Sequence, residues 1–403
     1  MYTILKAMNT KEKFKKYTLN NYGERQICIA KGAGMYAYDE AGKKYLDFGA
    51  GIAVNILGHC DKDWVKALTK QAQTVAHCSN LYLNVPQADL AEALIGESKF
   101  GKMFFCNSGT EANEALIKAA RIYGETLPVK RYKILVARNS FHGRTMGALS
   151  ATIQEKIQKH FSPLLEGFET AEFNDIKSFK AKLAKKDIAA VLIEPIQGES
   201  GVLPVDVKFL KELRSLCSKY STLLFFDEVQ CGVARTGKFF AFQKFGVKPD
   251  AISMAKGLGG GFPIGAVLMS DKLAKLFTPG THGTTFGGNP LACAVALSVV
   301  KAVKKRKLAE NAAKCGKLLL NGLQKLAKKY PEKVKCARGV GLMIGLLLNE
   351  PYKNADLVKA LLVNSLITIP AGSNAVRFLP PLIVKEAEIK KALTIVDKTL
   401  NAL

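Results

Sequence analysis

Asp250-Ala251-Ile252-Ser253-Met254-Ala255-Lys256-Gly257-Leu258-Gly259-Gly260-Gly261-Phe262-Pro263 is a short apolar run that ends on a lysine and breaks into glycines. It reads as a buried strand delivering Lys256 to a glycine-floored cavity. Lysine is ordinarily a solvated surface residue. One at the C-terminal end of a strand, beside backbone that a ligand can approach closely, is placed to act as a Schiff-base nucleophile. Twenty-nine residues before Lys256 lies Asp227, where a second apolar run, Leu223-Leu224-Phe225-Phe226, ends in Asp227-Glu228-Val229-Gln230. An amine and a carboxylate at the ends of two such strands are the imine partner and the pyridinium partner that pyridoxal 5'-phosphate needs.

Working outward, further apolar runs stand at 103–106, 134–137, 190–193 and 266–269, separated mostly by helical or polar stretches. This alternation predicts an α/β fold whose mostly parallel sheet is covered by helices, with room for an antiparallel edge strand. Polar residues follow nearly every run: Ser108-Gly109-Thr110, Phe141-His142-Gly143-Arg144, Glu194, Asp227 and Lys256. Open α/β sheets bind ligands outside the carboxyl ends of their strands. The segment 34–48 reads as a β-hairpin, and Trp64, Val65, Leu68, Ala72 and Val75 have the spacing of one helix face. After Pro290, helical patterns lead into an α+β tail with strand-like runs at 341–348 and 376–379. The expected organisation is a small discontinuous domain from 1–60 and 301–403 around a large domain at 61–300.

The chain has 403 residues and no apolar stretch as long as a membrane helix. Its lysine-rich start, 1–16, lacks an apolar signal core, and no secretory signal is expected. Nine cysteines, odd in number and without a CxxC pair, fit reduced thiols in a cytoplasm. Five histidines without HExxH or a Cys/His cluster suggest no metal site. The net charge of +25 could mark a nucleic-acid binder, but the excess is almost all lysine, only ten residues are arginine, and no nucleic-acid module is present. Solvated lysine-rich faces, with no nucleic-acid or membrane partner, are the preferred reading.

Ser108, Gly109 and Thr110 end a strand and open a helix, whose N-terminus attracts anions. A plain N-cap is the simpler account; beside Asp227 and Lys256, phosphate binding is favoured. Phe141 could stack on a cofactor ring, and Arg144 could clamp a carboxylate with two parallel hydrogen bonds. Arg377 is a single arginine inside the apolar run Ala375-Val376-Arg377-Phe378-Leu379. It needs a counter-ion, for which Glu199 is the candidate. Such a pair could tie two domains together or form a carboxylate clamp that Glu199 masks. The spacing Gly232…Gly237-Lys238 imitates a P-loop, but Phe239 stands where magnesium needs a hydroxyl, so no nucleotide site is expected. His142 and His282 read as packing or loop hydrogen-bonding residues without a catalytic role.

These segments, with Ala53-Val54-Asn55-Ile56-Leu57-Gly58-His59, Glu194-Pro195-Ile196-Gln197-Gly198-Glu199 and His282-Gly283-Thr284-Thr285-Phe286-Gly287-Gly288-Asn289-Pro290, make the chain resemble the class III, fold type I, pyridoxal-phosphate-dependent aminotransferases. The resemblance implies that Lys256 holds the cofactor as a Schiff base and shuttles the proton, and that Asp227 keeps the pyridine nitrogen protonated. Gln230 would bond the ring's phenolic oxygen, Phe141 would stack on the ring, and Ser108, Gly109 and Thr110 would hold the phosphate. Thr285 would reach the phosphate of the other subunit in a homodimer with a shared active site. Arg377, with Glu199 as its switch, and Arg144 would take substrate carboxylates.

Ser79-Asn80-Leu81-Tyr82-Leu83-Asn84-Val85-Pro86-Gln87 and Gly51-Ile52-Ala53-Val54-Asn55 look most like the N-acetylornithine branch of that family; the ornithine branch tends to carry tyrosine where Ile52 stands. The implied activity is transfer of the δ-amino group of N2-acetyl-L-ornithine to 2-oxoglutarate, a cytoplasmic step of arginine biosynthesis. Ornithine, succinylornithine, succinyl-diaminopimelate and γ-aminobutyrate are the alternative donors. An aminomutase of the same fold is a further alternative. The family commonly continues Gly-His-Cys-His-Pro, whereas Asp61-Lys62 follows His59-Cys60 here, which reads as a helix start capped by Asp61.

Overall fold

All six apolar runs lie in one seven-stranded sheet of the computed structural model, which describes residues 8–403. The first seven residues of the lysine-rich start lie outside the described residues. The strand order is Lys102–Cys106, Gly265–Met269, Ala251–Met254, Leu223–Asp227, Ile188–Ile193, Lys133–Ala137, Phe168–Ala171. Gly265–Met269 runs antiparallel to both of its neighbours, while every other neighbouring pair is parallel. The expected place for an antiparallel strand was the edge; the structure puts it second from the edge. The reason is the short connection 255–264, since a parallel neighbour needs a crossover of about a dozen residues or more. The seventh strand, Phe168–Ala171, is absent from the apolar runs because Phe-Glu-Thr-Ala on a half-buried edge is too polar to read as one.

The two faces of the sheet bury different sets. Ala190, Leu192, Phe225, Ala251 and Val267 pack with Ala112, Ala115, Leu116 and Ala119 of the helix Gly109–Glu125. Val191, Ile193, Leu224, Phe226 and Met254 join the larger core, which takes in Phe209 and Leu213 of the helix Val207–Lys219. Because Ile188–Ile193 and Leu223–Asp227 are buried along their whole length, both read as continuous apolar runs.

Two smaller sheets flank this core. The hairpin Tyr36–Asp39 and Lys44–Asp47 is joined by Ile29–Ala33 on one side and by Leu366–Ile367, parallel, on the other. Val334–Val340, Met343–Leu348, Ala375–Phe378 and Ile369–Ala371 form an antiparallel sheet backed by the helices Leu308–Lys329 and Asn354–Val363. The molecule is thus an α/β fold with a mainly parallel central sheet and a smaller discontinuous α+β part. Between the hairpin and the next helix, Ala50, Gly51, Ile52 and Ala53 all adopt left-handed backbone. Each residue with a Cβ costs roughly 1–2 kcal/mol there.

Among the described residues no helix is long and apolar enough to cross a membrane, and no group of three or more His, Cys, Asp or Glu could hold a metal ion.

Asp61 caps the helix Lys62–Thr74, accepting from the backbone N–H groups of Asp63 at 3.1 Å and Trp64 at 3.3 Å. The same carboxylate takes Arg306 with two hydrogen bonds. Asp61→Ala is expected to lower stability by about 1–2 kcal/mol and Asp61→Asn by less, because asparagine keeps the cap. Denaturant-unfolding midpoints of the three proteins check this.

Candidate active site

Asp227 ends its strand with a carboxylate only 5% exposed, and three donors hold it. Asn113 Nδ2 donates to Oδ2 at 2.7 Å, His142 Nδ1 meets the same oxygen at 2.8 Å, and the Val229 N–H donates to Oδ1 at 3.0 Å. Ser253 Oγ donates to Asn113 Oδ1 at 2.7 Å, which orients the amide so that its NH2 faces Asp227. Because an ionised carboxylate only accepts, His142 carries its proton on Nδ1. The reading of His142 as a loop residue without a part in the site is therefore corrected: it is a buried partner of Asp227.

A cavity of about 420 Å³ opens at this edge of the sheet. Lys256 enters it half-buried, with its own backbone left-handed at φ +46°, and it forms no ion pair among the described residues. Burial pushes the Lys256 ammonium down, Glu199 pulls it back up, and the net position lies below the ordinary lysine value of 10.5. Ser108, Gly109 and Thr110 line the cavity at the start of the helix Gly109–Glu125, whose first-turn N–H groups have no partner within the helix. Ser108 Oγ caps Glu111 N at 3.3 Å, and Glu111 reaches back to Asn107 N at 2.9 Å. Thr110 Oγ1 accepts from the backbone of Arg144 and Thr145 at 3.1 and 3.2 Å, which docks the 141–145 loop on the helix.

Phe141 and Arg144 also line the cavity, with the guanidinium 5.6 Å from the centre of the phenyl ring. Glu194 fastens this loop: its Oε2 accepts from Phe141 N at 3.0 Å and its Oε1 from Gly198 N at 3.4 Å. Burial, with Asp227 nearby, pushes the Glu194 carboxyl well above the usual carboxylate range. Glu228, next to Asp227, turns the other way and caps Ala241 and Phe242; burial raises it to about 7.

Arg377 Nη1 lies 2.8 Å from Glu199 Oε1 and 2.9 Å from Gln230 Oε1, and Arg377 is buried. Glu199 and Gln230 line the cavity, with Arg377 behind them. Burial pushes Glu199 up, but Arg377, then Lys256 and Gln230, outweigh it and hold the carboxyl below its ordinary value. Thr285 is the one sequence-predicted residue that the chain does not bring to its own cavity. It is exposed on the loop after the 3.1 Å contact between Asn80 Nδ2 and Thr284 O. Asn113, Ser253 and Glu194 had no assigned role in the sequence reading; Glu194 stood at a strand end, but the other two have no local signal.

The donor set fits pyridoxal 5'-phosphate: an amine free of ion pairs, a buried carboxylate held by neutral donors, a helix N-terminus and a flanking aromatic ring.

Comparison with known proteins agrees with this chemistry. The family described as Aminotransferase class-III matches residues 17–400. Relatives named acetylornithine aminotransferase include one from Nostoc sp., 46% identical over 96% of this chain and 93% of its own length. Others are from Clostridium acetobutylicum, 46% identical over 96% and 100%, and from Methanocaldococcus jannaschii, 44% over 96% and 97%. Among solved structures, an ornithine aminotransferase from Toxoplasma gondii with PLP at partial occupancy in its active site superposes with a TM-score of 0.92 at 31% identity, covering 96% of this chain and 93% of that one. An acetylornithine aminotransferase from Elizabethkingia anophelis gives 0.86 at 34% identity, over 97% and 98%.

The lowered Lys256 fixes a pH dependence. Only the neutral amine attacks a carbonyl, so the rate at which cofactor-free protein takes up pyridoxal 5'-phosphate should rise with pH and level off below pH 10.5. Glu199→Gln deletes the negative charge that lifts Lys256 and should move the plateau to still lower pH. Stopped-flow absorbance of the bound cofactor reads both.

Proposed function

Because the chain belongs to the class III aminotransferases, we propose that it transfers the δ-amino group of N2-acetyl-L-ornithine to 2-oxoglutarate, giving N-acetyl-L-glutamate 5-semialdehyde and L-glutamate. The step belongs to arginine biosynthesis, in the cytoplasm. The names of the relatives, at 43–48% identity, support the donor. The observation that carries the mechanism is the Glu199–Arg377 pair at 2.8 Å, beside an Arg144 that is exposed and forms no ion pair among the described residues.

Bound pyridoxal 5'-phosphate supplies an electron sink that acidifies the C–H bond beside the donor nitrogen. Lys256 takes the proton from that carbon and returns it, help worth on the order of a hundred- to ten-thousand-fold in rate. Asp227, held by Asn113 and His142, keeps the ring nitrogen protonated. Ser108, Gly109 and Thr110 hold the phosphate, Phe141 covers the ring, and Gln230 reaches the phenolic oxygen with its Nε2, whose one contact, to Glu199, is a long 3.5 Å.

With Glu199 closed on Arg377, the donor's carboxylate must use Arg144, and its distal amine then reaches Lys256. When Glu199 swings away, Arg377 and Arg144 each take one carboxylate of 2-oxoglutarate. Both half-reactions use one site.

Thr285 serves the phosphate of a second copy in a homodimer. Leu81, Tyr82, Leu83, Val85 and Phe286, all at least 61% exposed, supply the apolar surface for that contact. Segments 1–60 and 301–403 form the small domain and 61–300 the large one, which the pairing of Lys44–Asp47 with Leu366–Ile367 supports.

Titration of the purified protein with N-acetyl-L-ornithine and, separately, L-ornithine tests the reading. The visible cofactor band is expected to bleach much faster with the acetylated donor; faster bleaching with ornithine moves the substrate, and no band after adding cofactor overturns the proposal. Arg144→Lys replaces a planar fork by a point charge and is expected to slow both half-reactions. Unchanged single-turnover rates would remove Arg144 from the clamp.

A further inference from the structure

Ala50, Gly51, Ile52 and Ala53 turn the chain with φ of +46°, +61°, +65° and +64°. Three of the four carry a Cβ, and L-residues visit this region singly rather than in runs. Such backbone persists only where its surroundings over-determine it. Asp47 supplies the restraint: Oδ1 accepts from Gly49 N at 2.9 Å and Ala50 N at 2.8 Å, and Oδ2 pairs with His59 Nε2 at 2.8 Å. His59 is fixed in turn. Its backbone exchanges two hydrogen bonds with Gly34, at 2.8 and 2.9 Å, and its ring fills space that a Cβ on Gly32 would invade, at 2.6 Å.

The turn lies between two parts of the candidate site. A Cβ on Gly257, next to Lys256, would lie 3.6 Å from Ala53 O and 3.0 Å from Ile56 Cγ2. Val54, directly after the turn, lines the cavity. On the other side Phe48 O accepts from Leu379 N at 2.6 Å, and Ile56 O from Leu382 N at 2.7 Å, just beyond Arg377. A shift of the turn therefore moves the cavity wall between Lys256 and the Arg377 strand.

We propose that Asp47 and His59 form a latch, acting as positioning residues that hold the left-handed turn and so set Val54 against the carbon chain of the amine donor. The proposal rests on the amino-transfer reading of the cavity. Neither side chain touches a reacting atom; both act through the backbone of 49–54.

The test uses Asp47→Ala alone and with Ala50→Gly and Ala53→Gly added, because glycine adopts left-handed backbone without strain. Amide hydrogen exchange over residues 49–56 and the KM and kcat for N-acetyl-L-ornithine and 2-oxoglutarate are measured on the cofactor-loaded proteins. Asp47→Ala is expected to speed exchange there and to raise the donor KM on the order of ten- to a hundredfold, the scale of a misplacement of about 1 Å. The cofactor band should persist and kcat should change much less. The two glycines should slow exchange again and recover most of the KM, and His59→Gln should fall between.

Unchanged exchange in Asp47→Ala overturns the latch. Faster exchange with unaltered KM overturns its positioning role. Parallel loss of band, kcat and KM that the glycines do not repair reduces Asp47 to a structural residue. A wild-type protein that does not turn over N-acetyl-L-ornithine instead sinks the donor assignment. The exchange arm then judges the latch alone, supported by acceleration that the glycines reverse and overturned without it.

Discussion

A carboxylate 5% exposed at the end of a central strand needs its charge compensated where it lies. Asp227 has no lysine or arginine within ion-pair distance among the described residues; its partners are Asn113, His142 and the backbone of Val229. These come from the first helix after the sheet edge, from the loop that carries Phe141 and Arg144, and from the loop that leads to Gln230. Orienting one charge therefore fixes the elements that surround the cavity. Neutral donors keep Asp227 in place without cancelling it, so its charge remains to stabilise a cationic ring nitrogen. Glu194 meets the same requirement differently. Buried near Asp227, it is pushed toward its neutral form and spends its oxygens on the backbone of Phe141 and Gly198.

On the opposite wall the constraint is geometric. The chain must leave the strand Ala251–Met254, present Lys256 and return antiparallel at Gly265. Gly259 sits where a Cβ would come within 1.9 Å of Phe262 O, so the reversal admits no side chain at that point. The lysine takes left-handed backbone at the head of this turn, and Trp64 Nε1 donates to Gly259 O at 2.9 Å to hold it. The floor of the cavity is thus as rigid as the carboxylate network facing it.

Chemistry placed at strand ends is local in sequence, and Lys256, Asp227, Ser108 and the Asp61 cap were legible for that reason. The Glu199–Arg377 pair was reachable by a different argument, that a lone arginine in an apolar run needs a counter-ion. Asn113, His142 and Ser253 escaped because the network joins residues 85 to 140 positions apart whose types are unremarkable in place. The strand Phe168–Ala171 escaped because an edge tolerates Glu and Thr. The position of the antiparallel strand could have been inferred from the length of the 255–264 connection, a counting argument rather than a periodicity one. Nothing in Ala50-Gly51-Ile52-Ala53 announces a left-handed turn, since only one of the four is glycine; the restraint resides in Asp47 and His59.

The pairing of Leu366–Ile367 with Lys44–Asp47 has a consequence for birth on the ribosome. A hairpin needs more than its own two strands for independent stability, and this one lacks its fourth strand until residue 367 is made. At roughly 5–20 residues per second the wait is on the order of tens of seconds. The central sheet, whose strands all lie between residues 102 and 269, emerges complete well before then. The nascent chain thus carries a finished core and an unfinished edge at once, and closing that edge is a late, long-range event of high contact order.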